Sequence, residues 1–173
     1  MSFNIEDFKR GALSQGGFRP ALFDVQVTTL GEEFNFLCMS TQVPSFTTGI
    51  IEVPYFGRKV KIAGDRTFAE WTTTVMIEED FSQRRALEAW AEKINSAVEN
   101  KRGYESPEAY KEDATVTLYQ KKGTPAQQYK LQGCWPSDIG TIELDWNTTD
   151  TIGLYTVTWA FDYFEPGKKP AAA

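Results

Sequence analysis

The sequence predicts a mainly β protein: a β-sandwich or small antiparallel barrel, with one flanking α-helix and one projecting β-hairpin. Three observations carry this. Segments of alternating apolar and polar residues recur along the chain, separated by short polar turns. Such period-two alternation is what a half-buried strand requires, because successive side chains point to opposite sides of a sheet. Aromatic residues, 14% of the chain, sit mostly inside those segments, where β-structure favours them. One stretch, 81–99, instead spaces its apolar residues as a helix does.

At the N-terminus, Ile5, Phe8 and Ala12 share a stripe and Gly16-Gly17 ends it. Residues 3–13 therefore read as a short helix, or equally as part of a mobile arm spanning 1–18 that docks on a neighbour. A strand follows at 21–29, with Phe23, Val25 and Val27 on one face. A second is expected at 33–40, with Phe34, Phe36 and Cys38 together, the two joined as a hairpin at Gly31-Glu32.

Residues 41–64 differ in character. Pro44 and Pro54 break the stretch, and Gly49, Gly57 and Gly64 punctuate it. Two strands, 50–56 and 58–63, flank Gly57. A hairpin containing proline belongs at a sheet edge or projecting from the body. Ile50, Ile51, Val53, Tyr55 and Phe56 bring much apolar surface to so broken a segment, and exposed apolar area marks an interface. With Arg58 and Lys59 they form a candidate contact surface; an ordinary core hairpin is the competing reading.

Residues 68–77 form a strand whose buried face is Trp71, Thr73, Val75 and Ile77, with Thr72 and Thr74 opposite. In the helix at 81–99, Asp80 is the expected N-cap with Gln83 three residues on, and Leu87, Trp90, Ala91, Ile94 and Val98 trace one stripe. The charged stretch 99–113 reads as a surface loop. Strands are expected at 114–119 and 128–135, with Trp135-Pro136 closing the second. Residues 140–165 then read as two antiparallel strands around a polar turn at 147–150. In the first, Ile142, Leu144 and Trp146 face the core, and Glu143 and Asp145 face away. In the second, Tyr155, Val157, Trp159, Phe161 and Tyr163 face the core, and Thr156, Thr158, Ala160 and Asp162 face away. The tail, 166–173, is disordered by composition. The result is one domain over 1–173.

Composition excludes several functions. A net charge of −6 lacks the basic footprint of a general nucleic-acid binder. With no histidine, the commonest general base and metal ligand are missing. Cys38 and Cys134 read as free, semi-buried thiols of a reducing compartment rather than a disulfide framework. The N-terminus lacks the pattern of a signal peptide, and no window approaches the ~20 apolar residues of a membrane helix. A protein folded in a cytoplasm, without a membrane anchor, is expected. No catalytic constellation, phosphate-binding glycine loop or metal-ligand cluster emerges, so neither enzymatic activity, cofactor nor metal is expected. The nearest approach is the pair Glu143 and Asp145. Their Cα atoms would lie about 6.6 Å apart on a strand, within glycosidase carboxylate spacings. Nothing places them across a cleft, and solvated acids are the simpler reading. A sugar-binding aromatic platform is disfavoured because the Trp and Tyr residues fall on the expected core faces.

The motifs GDRTFAEWTTTVM (64–76), ALEAW (86–90) and GCWPSDIGTIELDW (133–146), with the aromatic final strand, resemble the tail tube proteins of T-even-type contractile-tailed bacteriophages. RPALF (19–23) and NFLC (35–38) fit as well, so the resemblance runs collinearly over 18–165; 99–113 and the tail depart most. It implies a structural subunit forming homohexameric rings that stack into a hollow tube. The implied partners are other copies of the chain, the tail sheath protein, the baseplate and tail terminator proteins, and the tape measure protein and DNA passing through the lumen without specific binding. The implied location is the virion, after assembly in the host bacterial cytoplasm. Ile50, Ile51, Val53, Tyr55, Phe56, Arg58 and Lys59 become candidates for inter-subunit contact. Glu143, Asp145, Thr156 and Thr158 become candidates for the lumen, since an acidic or neutral wall does not grip phosphates. Two other functions remain as expectations: the inner tube of an effector-delivering contractile injection machine, and a carbohydrate- or receptor-binding β-sandwich.

Overall fold

The computed structural model describes Ile5 and residues 16–168. Most of the N-terminal arm and the last five tail positions lie outside the described residues. The elements are β1 (Phe23–Val27), α1 (Gly31–Leu37), β2 (Cys38–Thr41), β3 (Phe46–Tyr55), β4 (Arg58–Phe68), β5 (Trp71–Met76), α2 (Ser82–Ile94), β6 (Glu112–Tyr119), β7 (Pro125–Ile139), β8 (Leu154–Ala160) and β9 (Tyr163–Lys168). All pairings are antiparallel.

The long strand β7 organises the sheet. Its first part pairs with β6 on one side and β9 on the other, giving a half-sheet β1-β6-β7-β9. Its last part, Trp135 to Ile139, pairs with β8, giving a half-sheet β7-β8-β5-β2. β7 changes partner next to a bulge at Gly133, whose φ of +69° suits glycine. A Cβ there would lie 2.5 Å from Asp162 Oδ2, which accepts from Lys111 Nζ. Gly133→Ala is therefore expected to cost about 1–3 kcal/mol, from backbone strain and displacement of that ion pair, read as a lower urea midpoint.

Both half-sheets bury their apolar faces in one core. Val25, Val27, Ala114, Val116 and Leu131 come from the first; Trp71, Thr73, Val75, Tyr155, Val157 and Trp159 come from the second. α1 adds Phe34 and α2 adds Leu87 and Trp90. The three core indoles all find acceptors. Trp71 Nε1 donates to Thr41 Oγ1 (2.8 Å), Trp159 Nε1 to Thr73 Oγ1 (2.9 Å) and Trp90 Nε1 to the Tyr110 carbonyl (3.0 Å). Burying an indole N–H without a partner is costly, which explains why a threonine sits fully buried at position 73. Cys38 and Cys134 are free and buried, and burial pushes both thiols up to about 12.

Several expectations are corrected. Residues 31–37 are helical, not a strand, because Leu30, Phe34 and Leu37 recur at helical spacing while Phe34, Phe36 and Cys38 imitate a strand. Phe34 is fully buried there while Phe36 is 78% exposed. Residues 141–146 form no strand, because β8 already has β5 on one edge and β7 on the other. The last backbone bond before the chain leaves is Gly140 N–H to the Thr156 carbonyl, at 2.7 Å. Leu144 and Trp146, expected in the core, are 89% and 99% exposed. Pro136 does not close β7; it lies within it beside a bulge, opposite Trp159. Across the break at Phe161-Asp162 the alternation changes phase, so Phe164 packs inward and Tyr163 is exposed. Finally, the helix ends at Ile94, leaving Val98 exposed, and Pro166–Lys168 belong to β9 rather than to a disordered tail. At the helix start, Asp80 Oδ1 accepts from Ser82 N–H (3.2 Å), while Phe81 occupies the cap position itself.

Candidate functional site

Three exposed surfaces carry the chain's possible function. The first is the hairpin β3-β4. Register pairs Phe46 with Phe68 at its base and Tyr55 with Arg58 at its tip. The turn is Phe56-Gly57, with φ of +42° and +79° as a two-residue primed turn demands. Among the described residues the hairpin is held near its base, where Phe46 and Phe68 pack on Phe164 (6.1 and 5.5 Å) and Arg66 lies 4.4 Å over the Phe46 ring. Beyond Gly49 and Gly64, residues 50–63 are all exposed.

Alternation sorts its residues. Ile51, Val53 and Tyr55 pair with Ile62, Val60 and Arg58 on one face. Ile50, Glu52 and Pro54 pair with Ala63, Lys61 and Lys59 on the other, where Lys59 also bridges to Glu52 at 2.5 Å. Among the described residues the apolar face covers nothing: all of its side chains are exposed, and Phe56 at the tip is 92% exposed. The sequence-predicted contact residues are thus divided. Ile51, Val53, Tyr55 and Arg58 share the apolar face, Ile50 and Lys59 lie behind it, and Phe56 crowns the tip.

The second surface is the outward face of β5 and β8. Thr72 pairs with Thr158 and Thr74 with Thr156, four threonines on a flat patch. They alternate strictly with the buried Trp71, Thr73, Val75, Tyr155, Val157 and Trp159. Asp138, beside Thr158, is exposed on the neighbouring strand. Thr156 and Thr158 therefore sit where alternation put them.

The third surface is the loop 140–153, which sequence reading missed because its alternation imitates a strand. Arg84 fixes its start, donating from Nη1 to the Gly140 carbonyl (2.6 Å) while its guanidinium lies 5.0 Å over the Tyr155 ring. Asp145 Oδ1 accepts from the Asn147 backbone and side chain, turning the chain. An open groove lies between this loop and residues 77–81. Glu143 and Asp145 line it, together with Leu144, Trp146 and Ile152. They do not share a strand face with Thr156 and Thr158. At the floor lies Tyr155, only 3% exposed, whose hydroxyl has no hydrogen-bond partner among the described residues. Burial pushes that phenol up to about 12. No group of acids, histidines or cysteines able to hold a metal ion occurs among the described residues, and no helix among them is long and apolar enough to cross a membrane.

Comparison with known proteins shows the family. The family described as phage tail tube protein matches residues 12–165. Tail tube protein gp19 of Enterobacteria phage T4 is 36% identical over 163 residues, covering 93% of this chain and 99% of that one. The tail tube protein of Serratia phage KSP90 is 27% identical over 157 residues, covering 85% and 88%. Among solved structures, a chain of the sheath-tube complex of an extracellular contractile injection system superposes with a TM-score of 0.65 at 16% identity, covering 95% of this chain and 99% of that one. That likeness is one of fold. By family match and by near full-length identity, the chain belongs to the phage tail tube protein family.

Proposed function

We propose that this chain is the repeating subunit of a contractile phage tail tube, forming homohexameric rings that stack around a DNA channel. The carrying observation is the amphipathic hairpin: a sheet ribbon with one apolar face and no partner for it among the described residues. Surface of this kind is retained where another subunit covers it. Repeated head-to-tail use of one such contact generates a filament rather than a closed pair. Edge-to-edge pairing of strands around each ring satisfies backbone groups that would otherwise invite uncontrolled association. The same reading places the sheath protein outside, baseplate and terminator proteins at the ends, and a tape measure protein inside the lumen. Identity to phage tail tube proteins supports DNA rather than effector proteins as the cargo.

The threonine face is assigned to the channel wall. It carries Thr72, Thr74, Thr156 and Thr158 and no base among them. A lysine there would bind phosphates through counterion release; small neutral side chains let DNA slide. Negative-stain microscopy of the purified protein tests assembly. Stacked rings with a central hole are the expected result, and discrete small particles at all concentrations would refute it. The wall is tested separately. Virions carrying Thr156→Lys/Thr158→Lys tubes are expected to eject DNA at least about tenfold more slowly at low salt, recovering as salt rises. Normal kinetics without salt dependence would move the wall elsewhere.

A further inference from the structure

The groove beside loop 140–153 and the hairpin complement each other chemically. The hairpin from 50 to 63 carries three bases, Arg58, Lys59 and Lys61, against one acid, Glu52. The loop carries Glu143, Asp145 and Asp150 and no base, and Glu79 stands exposed on the opposite rim. Both elements also expose large apolar side chains: Val53, Tyr55 and Phe56 on one, Leu144, Trp146 and Ile152 on the other. Within one chain, no hydrogen bond or ion pair joins them among the described residues.

We infer that the groove between loop 140–153 and residues 77–81 receives the hairpin tip of a second copy of this chain, with Phe56 against Trp146 and with Arg58 and Lys59 facing Glu143 and Asp145. This rests on the tube reading above and names the receptor for its hairpin. Exposed aromatic side chains at a centre flanked by bases and acids of opposite sign are the usual makings of a specific contact. The contact is head-to-tail, since each subunit offers one hairpin and one groove.

The experiment uses the full chain. Glu143→Lys/Asp145→Lys and Arg58→Glu/Lys59→Glu are each expected to raise the concentration needed for tube formation at least about tenfold. The chain carrying all four substitutions is expected to assemble as the original does. These side chains are exposed, so thermal unfolding of every variant is expected to match the parent; the comparison is made on variants that pass this check. Independently, Phe56→Cys and Trp146→Cys subunits, mixed and assembled, are expected to form a disulfide-linked dimer between the two species. The native thiols do not interfere, being buried. Tubes that form without that cross-link, or a fourfold variant as defective as its halves, would overturn the groove assignment and leave the tube reading standing. Failure of the unmodified chain to form tubes under any condition would overturn the tube reading itself.

Discussion

Trp159→Ala is expected to destabilise the subunit by about 3–5 kcal/mol, read as a lowered denaturant midpoint. Trp159 is fully buried and sits where β8 meets β5, α1 and α2. Its ring lies 5.8 Å from Trp71 on β5, 6.0 Å from Trp90 on α2 and 6.0 Å edge-on from Phe34 on α1. Truncation opens a large apolar cavity between four elements that cannot all collapse into it. It also removes the donor that satisfies Thr73, leaving a buried hydroxyl unpaired. Domains of this size are stable by only about 5–15 kcal/mol, so the loss is a large share of the total. A change below about 1 kcal/mol would mean that the indole cluster is not the centre of the core.

Excision of residues 50–63, joining Gly49 to Gly64, is expected to abolish tube formation while leaving the domain folded. A Cβ on Gly64 would lie 3.2 Å from the Gly49 carbonyl carbon, so the two strands already approach closely enough to be closed by a short turn. The excised segment contributes no side chain to the core, and its anchor, Phe46 and Phe68 on Phe164, remains. Stability should therefore change by less than about 1 kcal/mol. Assembly is affected differently. Each aliphatic or aromatic side chain fully covered by a neighbour contributes about 1.5–3 kcal/mol, and each 1.4 kcal/mol is tenfold in an association constant. Losing Ile51, Val53, Tyr55, Val60 and Ile62 together should leave no tubes at any practical concentration. Sedimentation and negative-stain images check this, and tubes from the excised chain would show that the hairpin is not an assembly element.

How legible all of this was in the sequence follows from which forces are local. The alternation of Trp71, Thr73 and Val75 against Thr72 and Thr74 specifies a face directly, and the strand appears as expected. The hairpin was equally plain, since Pro54, Gly57 and an excess of apolar residues identify a projecting ribbon without knowledge of its surroundings. Residues 141–146 show the opposite case. Ile142, Leu144 and Trp146 alternate as well as any strand, yet a strand needs a free edge to join, and both edges of β8 are taken by residues distant in sequence. Residues 31–37 are ambiguous for another reason, because Leu30, Phe34 and Leu37 satisfy the helical period while Phe34, Phe36 and Cys38 satisfy the strand period. Packing of Phe34 onto Trp159, 125 positions later, sides with the helix. The acidic groove was invisible beforehand because it exists only once loop 140–153 leaves the sheet beside the start of α2.

The partner change within β7 has a mechanical consequence. In a sandwich whose sheets meet only through side chains, shear can slide one over the other. Here the covalent backbone runs from one sheet into the other at Gly133 to Trp135, and the peptide bond does not stretch. A push applied along the first sheet is delivered to the second through the chain itself. Each subunit should thus respond to axial thrust as a stiff block, and deformation of a stacked column would concentrate in the contacts between blocks.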